Sequence, residues 1–90
     1  MTPASAYKNP HHVMLFFEEN QVNDTCMAER IIYYQRLKNA GKVLLSGNFW
    51  NQARNFVIVH VASDMELEQI IDNDPAVKQN ILKLVRAMPF

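Results

Sequence analysis

Arg30 falls in the middle of an apolar helical face, a place where an arginine points to the binding of an anion. The segment from Cys26 to Lys42 predicts a helix whose apolar side chains share one side at about 100° per residue. A guanidinium on such a face is costly to bury unless a carboxylate or a bound anion compensates its charge. Because arginine keeps its proton near neutral pH, Arg30 would hold a carboxylate or enolate oxygen rather than act as a base. The apolar face consists of Cys26, Met27, Ile31, Tyr33, Tyr34, Leu37 and Ala40.

Asp74 is the obvious partner for Arg30. It follows Leu67 by seven residues and so continues the apolar stripe of a second predicted helix, which directs it towards the sheet. Two interpretations are open. In the first, the two residues form a structural ion pair, or Arg30 reaches the helix edge while Asp74 caps the turn that Pro75 begins. In the second, a small-molecule pocket lies between helices and sheet, where Arg30 binds an anion and Asp74 orients it or transfers a proton.

Other residues are candidates to line such a pocket. Tyr33 and Tyr34 flank Arg30 on the helix, and Ser46 and Phe49 follow on a predicted strand. Tyrosines at helical spacing are also common core residues, and the serine–glycine pair at Ser46 can form a β-bulge instead of offering a donor to a ligand. The sequence therefore predicts a set of substrate-binding residues: Arg30, Tyr33, Tyr34, Ser46 and Phe49.

His12 is the second candidate catalytic residue, in addition to Asp74. His11 and His12 alternate along the first predicted strand, so at most one of them faces a pocket between sheet and helices. His60, on a middle strand, is the other candidate, and histidines at such positions are commonly structural. The histidines and Cys26 lack the spacing of metal ligands, so the sequence predicts neither a metal site nor a cofactor.

The composition predicts one small, packed domain. The chain has 90 residues, of which 49% are hydrophobic, and nine basic residues balance nine acidic ones. A formal net charge of zero, without a basic block, argues against nucleic acid or an acidic membrane as a partner. A single cysteine and no apolar run of about 18 residues predict a soluble, cytoplasmic protein. Residues 1–10 are expected to form a flexible lead-in to a domain at 11–90.

The pattern of elements predicts an α+β, ferredoxin-like βαββαβ fold, in which two helices cover one face of an antiparallel sheet. Asp24 or Thr25 should cap the first helix and Gly41 should end it, and Ser63 with Glu66 should form a capping box on the second. Because the strands are apolar on both sides, one sheet face is left without helices. We therefore expect a homodimer through this open sheet face, a dimeric α+β barrel. The predicted strands cover 11–19, 42–50, 54–62 and 81–90, and the predicted helices cover 26–42 and 63–74.

Four motifs resemble, in this order, those of the YCII-related (YciI-like) family. They are LKNAG at the end of the first helix, SGNF at the end of a strand, DP at Asp74, and PF at the end of the last strand. The resemblance covers residues 11–90 and implies a dimeric α+β barrel. Family members carry a histidine seven residues before the leucine of the first motif, and they pair it with the aspartate of DP as an acid/base dyad. Counting back seven residues from Leu37 gives Arg30 instead of that histidine, whereas Asp74 matches the aspartate.

The resemblance implies elimination or isomerisation of small, often aromatic, acids. Arginine cannot replace the family's histidine as a base, so proton transfer would fall to Asp74 or to another group such as His12. The leading hypothesis is a YCII-like protein with a small anion-binding cleft, of a lyase or isomerase type altered at Arg30. The alternative hypothesis is a non-catalytic barrel that binds a metabolite or a protein partner.

Overall fold

The computed structural model describes residues 11–21, 23–48 and 54–90, and in these ranges it has four strands and three helices. The order is that of the predicted ferredoxin-like fold, with a short third helix after the second. None of the helices in these ranges is long and apolar enough to cross a membrane. The strands are β1 (His11–Glu19), β2 (Val43–Asn48), β3 (Arg54–Val61) and β4 (Leu82–Pro89). The helices are α1 (Asp24–Asn39), α2 (Asp64–Asp72) and α3 (Pro75–Lys78).

The four strands form one antiparallel sheet in the order β2-β3-β1-β4. In the central pair, β1 and β3, Leu15 lies opposite Val57 and Phe17 lies opposite Asn55. β2 and β3 pair as the predicted hairpin, whose turn falls within 49–53, outside the described residues. The α+β, ferredoxin-like class is therefore confirmed.

Alternation along the strands gives the sheet two different faces, both apolar. The face under the helices forms the core, because successive side chains of a strand point to opposite sides. Met14 and Ile58, which lie opposite each other across β1 and β3, belong to the other face and are only half-buried. This is the two-sided pattern that the sequence predicts, and the dimer that would cover the open face stays a prediction. The strands contribute Val13, Leu15, Phe17, Val43, Val57, Val59, Val61 and Leu82 to the core.

The helix α1 begins two residues earlier and ends three residues earlier than the helix predicted over 26–42. Asn23, rather than Asp24 or Thr25, caps its start, because Asn23 has an extended backbone and its side chain accepts from the Cys26 N–H at 2.9 Å. Asp24 and Thr25 lie within the first turn or at its start, where they continue the helix. Beyond the other end, Gly41 has a φ of 78°, the left-handed conformation expected there.

The buried side of α1 is narrower than predicted and follows a single row of the helix. Cys26, Arg30 and Tyr34, each four residues apart, are its buried residues. Ile31, predicted on the apolar face, is 70% exposed, and Ala40 is also exposed. The row through Arg30 faces the sheet, so residues about 100° away from it reach the edge or the solvent. Arg30 therefore lies at the centre of the packed side rather than at its margin.

The second half of the chain has the predicted caps. Ser63 Oγ accepts from the Glu66 N–H at 3.1 Å, and Glu66 Oε1 accepts from the Ala62 N–H at 3.1 Å. The glutamate thus reaches one residue before the cap instead of the cap itself. Pro75 begins α3, with Asp74 as its N-cap, so the chain restarts a helix at the predicted proline.

β2 runs without a bulge through Ser46 and Gly47, so the bulge considered for this pair is absent there. An irregularity lies earlier instead, between Val43 and Leu45. A Cβ on Gly47 would lie 3.0 Å from the Phe56 ring, so the glycine lets the ring of the neighbouring strand approach. Ser46 keeps a regular position in the strand, from which it faces the helices.

Candidate functional site

Arg30 and Asp74 form a buried ion pair where α1 packs against α3. Arg30 Nε donates to Asp74 Oδ2 at 2.9 Å, and the two side chains are 9% and 0% exposed. The pair joins residues that the sequence predicts to face inward from separate helices. Its burial makes it far more costly to disrupt than an exposed pair, because each charge would be left without its partner in a poorly solvated place.

Asp74 uses both of its carboxylate oxygens within the protein. Oδ2 accepts from Arg30 Nε and from the Tyr34 hydroxyl at 2.7 Å, and Oδ1 accepts from the Ala76 N–H at 2.9 Å. The last of these is the N-cap bond of α3, so Asp74 caps a helix and pairs with Arg30 at the same time. In all three bonds Asp74 is the acceptor, as expected of a carboxylate anion. Asp74 thus fixes the positions of Arg30 and Tyr34.

The Arg30 guanidinium lies between two aromatic rings and retains an unused donor. Its Cζ is 4.7 Å from the centroid of the Phe17 ring and 4.8 Å from that of Tyr34, within the range of cation–π attraction. Nη2 is buried and has no hydrogen-bond partner within the described ranges. A buried donor without a partner costs about 1–3 kcal/mol, and more when it is charged. The ion pair alone therefore leaves the guanidinium incompletely bonded.

A cleft of about 150 Å³ lies beside the ion pair, between α1 and the strands β2 and β3. Arg30 and Tyr34 line it from the helix, and Ser46 and Val57, which pair across β2 and β3, line it from the sheet. Lys38 is its second cation, and no carboxylate is found in its described lining. Because Asp74 balances the charge of Arg30, Lys38 supplies the unbalanced positive charge of this lining. The remaining lining residues are Met27, Ile31, Gln35 and Val43.

The two tyrosines of α1 belong to different surroundings. Burial, with the negative charge of Asp74, raises the pKa of Tyr34 far above its ordinary range, so this phenol stays protonated and donates to Asp74. Burial, again with Asp74, raises the pKa of Tyr33 to about 12. The Tyr33 hydroxyl donates to the Ile70 carbonyl at 2.6 Å, and its side chain lines a groove between α1 and α2. Of this pair, only Tyr34 lines the cleft.

Residues 4–90 match the family model described as the YCII-related domain. The chain belongs to the YCII-related family. No curated protein sequence matches it closely enough to count as a relative.

Two solved structures are similar to this YCII-related chain. One is 5-chloro-2-hydroxyhydroquinone dehydrochlorinase from Burkholderia phenoliruptrix in complex with 2,5-dihydroxybenzoquinone, with a TM-score of 0.64 and 16% identity. That comparison covers 87% of this chain and 90% of the other. The second is a dimeric ferredoxin-like protein from an uncultured marine organism, with a TM-score of 0.41, 12% identity, and coverage of 97% of this chain and 90% of the other. At such identities the first likeness supports the fold, and the second adds nothing to it.

In this YCII-related protein the predicted site residues fall into two groups. Arg30, Tyr34 and Ser46 line one cleft, with Asp74 bonded to two of them from outside the lining. Tyr33 lies in the other groove, as described above. Arg30 therefore lines a cleft together with two of the other predicted site residues.

The other predicted residues lie elsewhere. His12 is on the open face of the sheet, in a T-shaped contact with His60 at 4.8 Å between ring centroids, and so is not brought to the cleft. Phe49 lies outside the described residues. Cys26 is buried, and burial raises the pKa of its thiol, as expected of an unreactive cysteine. Among the described residues, no three His, Cys, Asp or Glu side chains are grouped as a metal site requires.

Two buried residues of this region were not predicted: Phe17, which contacts Arg30, and Asn55, which lies opposite Phe17 on the neighbouring strand. Asn55 is 6% exposed, and its Oδ1 is buried with no hydrogen-bond partner in the part of the chain that the structure describes. The signal was present in the sequence. Asn55 occupies an inward-facing position of β3, where the next such positions along the strand, Val57, Val59 and Val61, are all valines.

Proposed function

We propose that this YCII-related protein binds a small organic anion in the cleft beside Arg30. The observation that carries the proposal is the incompletely bonded guanidinium. Asp74 takes its Nε donor, Nη2 has no partner within the described residues, and the residue lines the cleft. A carboxylate or enolate oxygen of a ligand would accept a charge-assisted hydrogen bond from the Arg30 guanidinium. Lys38 adds positive charge, and the described lining contains no acid to oppose it.

The size and lining of the cleft favour a planar ligand of one ring. A cavity of about 150 Å³ is known to hold a benzene molecule, and this cleft has that volume. Met27, Ile31, Val43 and Val57 offer apolar surface for such a ring. The similar dehydrochlorinase is named as a complex with 2,5-dihydroxybenzoquinone, also a single ring, which supports the choice of such probes. The proposed ligands are small aromatic or unsaturated carboxylates and their enols.

Benzoate titrated into the protein by isothermal calorimetry tests this proposal. Arg30→Met should weaken benzoate binding at least about thirtyfold, because losing one member of a buried charge pair with the ligand costs about 2–5 kcal/mol. Arg36→Met, on the exposed side of α1, is the matched control and should bind as the wild type does. Arg30→Lys serves in place of Arg30→Met if the latter does not fold. Equal benzoate affinity in the wild type and the Arg30 variant would reject the proposal.

A lyase- or isomerase-type reaction is the second candidate function, and the bond between Tyr34 and Asp74 favours it. Asp74 does not line the cleft, but Tyr34 does, and its hydroxyl is 2.7 Å from Asp74 Oδ2. A proton leaving the ligand would pass to the Tyr34 oxygen while the Tyr34 proton passes to Asp74. Arg30 would stabilise the enolate that forms. In this scheme Asp74 is the final proton acceptor, and His12 has no part.

Chloride release from 5-chloro-2-hydroxyhydroquinone measures this second function. Tyr34→Phe should abolish turnover while benzoate still binds, because the variant keeps the ring that stacks on Arg30 and loses only the hydroxyl. Arg30→His would restore the family's histidine beside Asp74 and should raise turnover. Benzoate binding without chloride release in the wild type or in Arg30→His would favour the alternative, a non-catalytic metabolite-binding barrel.

We also propose that the protein is a homodimer through the open face of the sheet. The half-buried apolar residues of that face, among them Met14 and Ile58, have no helix over them in the described structure. Exposed apolar patches of this kind commonly form subunit interfaces. Light scattering at micromolar concentration should give the mass of two chains for the wild type and of one chain for Ile58→Glu. A single-chain mass for the wild type would reject the dimer.

A further inference from the structure

Lys38 is the second cation of the cleft lining, and its charge has no partner within the described ranges. It lies one helical turn after Tyr34 and two turns after Arg30, and all three residues line the cleft. Its side chain makes no ion pair or hydrogen bond with any residue that the structure describes. The positions three and four residues away along the chain, where a helical partner would lie, contain no acid. The ammonium group is therefore available to a ligand.

Arg30, Tyr34 and Lys38 form one row along α1, and burial decreases along this row. Successive members are four residues apart, so their side chains are neighbours on one side of the helix. Arg30 and Tyr34 are 7% and 6% exposed, whereas Lys38 is an exposed residue. Arg30 thus belongs to the buried end of the cleft and Lys38 to its solvent end. Long helical side chains lean towards the N-terminus of their helix, which directs Lys38 back to the turn of Tyr34.

The two cations differ in the charge that remains unbalanced. Asp74 neutralises Arg30 in the buried ion pair, whereas no acid in the described lining neutralises Lys38. A ligand with one carboxylate at Arg30 would leave Lys38 as it is, and a second acidic group across the ring would meet it. The Cα atoms of the two cations are about 12 Å apart along the helix axis. A ring with acidic groups on both sides and the flexible four-carbon stem of lysine can together cover this span.

We propose that Lys38 binds a second acidic group of the ligand, so that the cleft prefers ring compounds with two anionic groups over ring monocarboxylates. This inference rests on the proposed anion-binding function and deepens it by naming the substrate class. Arg30 holds the first acidic group at the buried end, and Lys38 selects the second at the solvent end. Because Lys38 is exposed, the preference is that of a solvent-screened ion pair, about threefold to fivefold in affinity.

A purely structural role for Lys38 is the competing explanation, and Arg36 provides the control for it. Both residues lie in the last turn of α1, where a cation interacts favourably with the C-terminal end of the helix dipole. Arg36 is also exposed, and it is not among the described residues of the cleft lining. Arg36→Met and Lys38→Met therefore remove the same charge from the same turn, and only Lys38→Met removes a cation from the cleft.

Calorimetric titration of benzoate and of the three benzenedicarboxylate isomers, at pH 8 and low salt, tests this preference. Both carboxyl groups of each isomer are ionised at this pH. At least one isomer should bind the wild type about threefold to fivefold more tightly than benzoate. Lys38→Met should leave benzoate affinity unchanged and reduce the preference to about the twofold that two equivalent carboxylates give by statistics. Arg36→Met and Lys38→Arg should keep the preference, and added salt should weaken it in the wild type.

The outcomes separate the two proposals. Benzoate binding that depends on Arg30, without a preference above about twofold for any isomer, would overturn the role of Lys38 and leave anion binding intact. A preference that persists in Lys38→Met, or that Arg36→Met removes equally, would also overturn the role of Lys38. No binding of benzoate or of any isomer would overturn both proposals together. Retained benzoate affinity in Lys38→Met shows that the variant is folded, so that loss of the preference alone identifies a specificity-determining residue.

Discussion

Two ion pairs in this protein are built alike but differ in how many hydrogen-bond donors of the cation have a partner. Arg30–Asp74 and Lys42–Glu66 each join a basic residue of α1 or of the turn after it to an acid at the start of a later helix, and each acid also accepts a backbone N–H there. Lys42 Nζ is 3.1 Å from Glu66 Oε2, and the two side chains are 40% and 27% exposed, against 9% and 0% for the first pair. Solvent therefore surrounds one pair and is excluded from the other.

The two cations differ in the hydrogen-bond donors that the ion pair leaves unused. The partly exposed ammonium of Lys42 donates to both oxygens of Glu66, and solvent can reach its remaining donor. The buried Nη2 of Arg30 has neither a partner among the described residues nor water of the bulk solvent. The Lys42–Glu66 pair thus has no unused buried donor, whereas the Arg30–Asp74 pair has one in a residue that lines a cleft, and this is why we propose a ligand for the second pair only. The proposed site therefore rests on unused hydrogen-bonding capacity rather than on the presence of a salt bridge, which both pairs have.

Removal of the acid from each pair should give the largest difference between them. Asp74→Asn keeps an oxygen that can cap α3 but leaves the buried guanidinium without its counter-charge, so the free energy of unfolding should fall by about 3–5 kcal/mol. Glu66→Gln should lower it by less than about 1 kcal/mol, since that pair is exposed to solvent. Urea denaturation of the two isosteric variants measures both values, and equal losses would contradict the distinction.

Alkaline pH should have an intermediate effect on the free energy of unfolding, through the two tyrosines near the buried pair. The pKa of Tyr33 is raised to about 12 and that of Tyr34 further, whereas in the unfolded chain tyrosines ionise near their ordinary value. Above about pH 10 the unfolded state therefore loses protons that the folded state keeps. Stability falls by up to about 1.4 kcal/mol per pH unit for buried Tyr34, and by less for Tyr33, which solvent partly screens.

Tyr34→Phe identifies the source of this alkaline loss. The variant lacks the hydroxyl that donates to Asp74, so it should be less stable than the wild type near neutral pH and lose less stability from pH 10 upwards. Urea midpoints collected between about pH 8 and 12 provide the measurement, since the window lies between the unfolded and folded pKa values. If the urea midpoint of Tyr34→Phe falls with pH as steeply as that of the wild type, another group causes the alkaline loss of stability.

Acid pH should have the smallest effect on the free energy of unfolding, through the more exposed pair Lys42–Glu66. Burial tends to raise the pKa of Glu66, but hydrogen bonds from Lys42 and the Ala62 N–H, with nearby positive charge, outweigh it and lower the pKa. A lowered folded pKa means that this contribution is present above the unfolded value of about 4.3 and is lost as the pH falls through the folded value. Lys42→Met should reduce the acid loss by less than about 1 kcal/mol, and added salt should reduce it in the wild type as well. An effect of Lys42→Met that does not change with salt would argue against a screened pair.

The sequence predicted the fold, and it predicted that Arg30 and Asp74 face inward, for identifiable reasons. Helical periodicity isolated Arg30, the seven-residue spacing after Leu67 directed Asp74 inward, and alternation predicted the two-sided sheet. These are one-dimensional signals with a fixed period. The predicted N-cap of α1 and the predicted inward position of Ile31 were wrong. Both depend on where the helix begins and on how it is rotated against the sheet.

The remaining part of the site required three-dimensional information. Phe17 and Asn55 meet Arg30 or its neighbour through strand register, which long-range pairing decides. His12 could face either side of the sheet until that register was known. The unpartnered state of Nη2 depends on which oxygen of Asp74 caps α3 and which accepts from Arg30, a detail that no residue spacing contains.

A crystal structure of the protein with saturating benzoate would show whether Arg30 binds an anion in the cleft. We expect the ring in the cleft between α1 and the strands β2 and β3, with a carboxylate oxygen within hydrogen-bond distance of a terminal nitrogen of Arg30. The Arg30–Asp74 and Tyr34–Asp74 bonds should be unchanged, because the ligand uses donors that Asp74 leaves free. An empty cleft at saturating benzoate, or a ring bound elsewhere while Arg30 Nη2 is satisfied by the protein itself, would contradict the account.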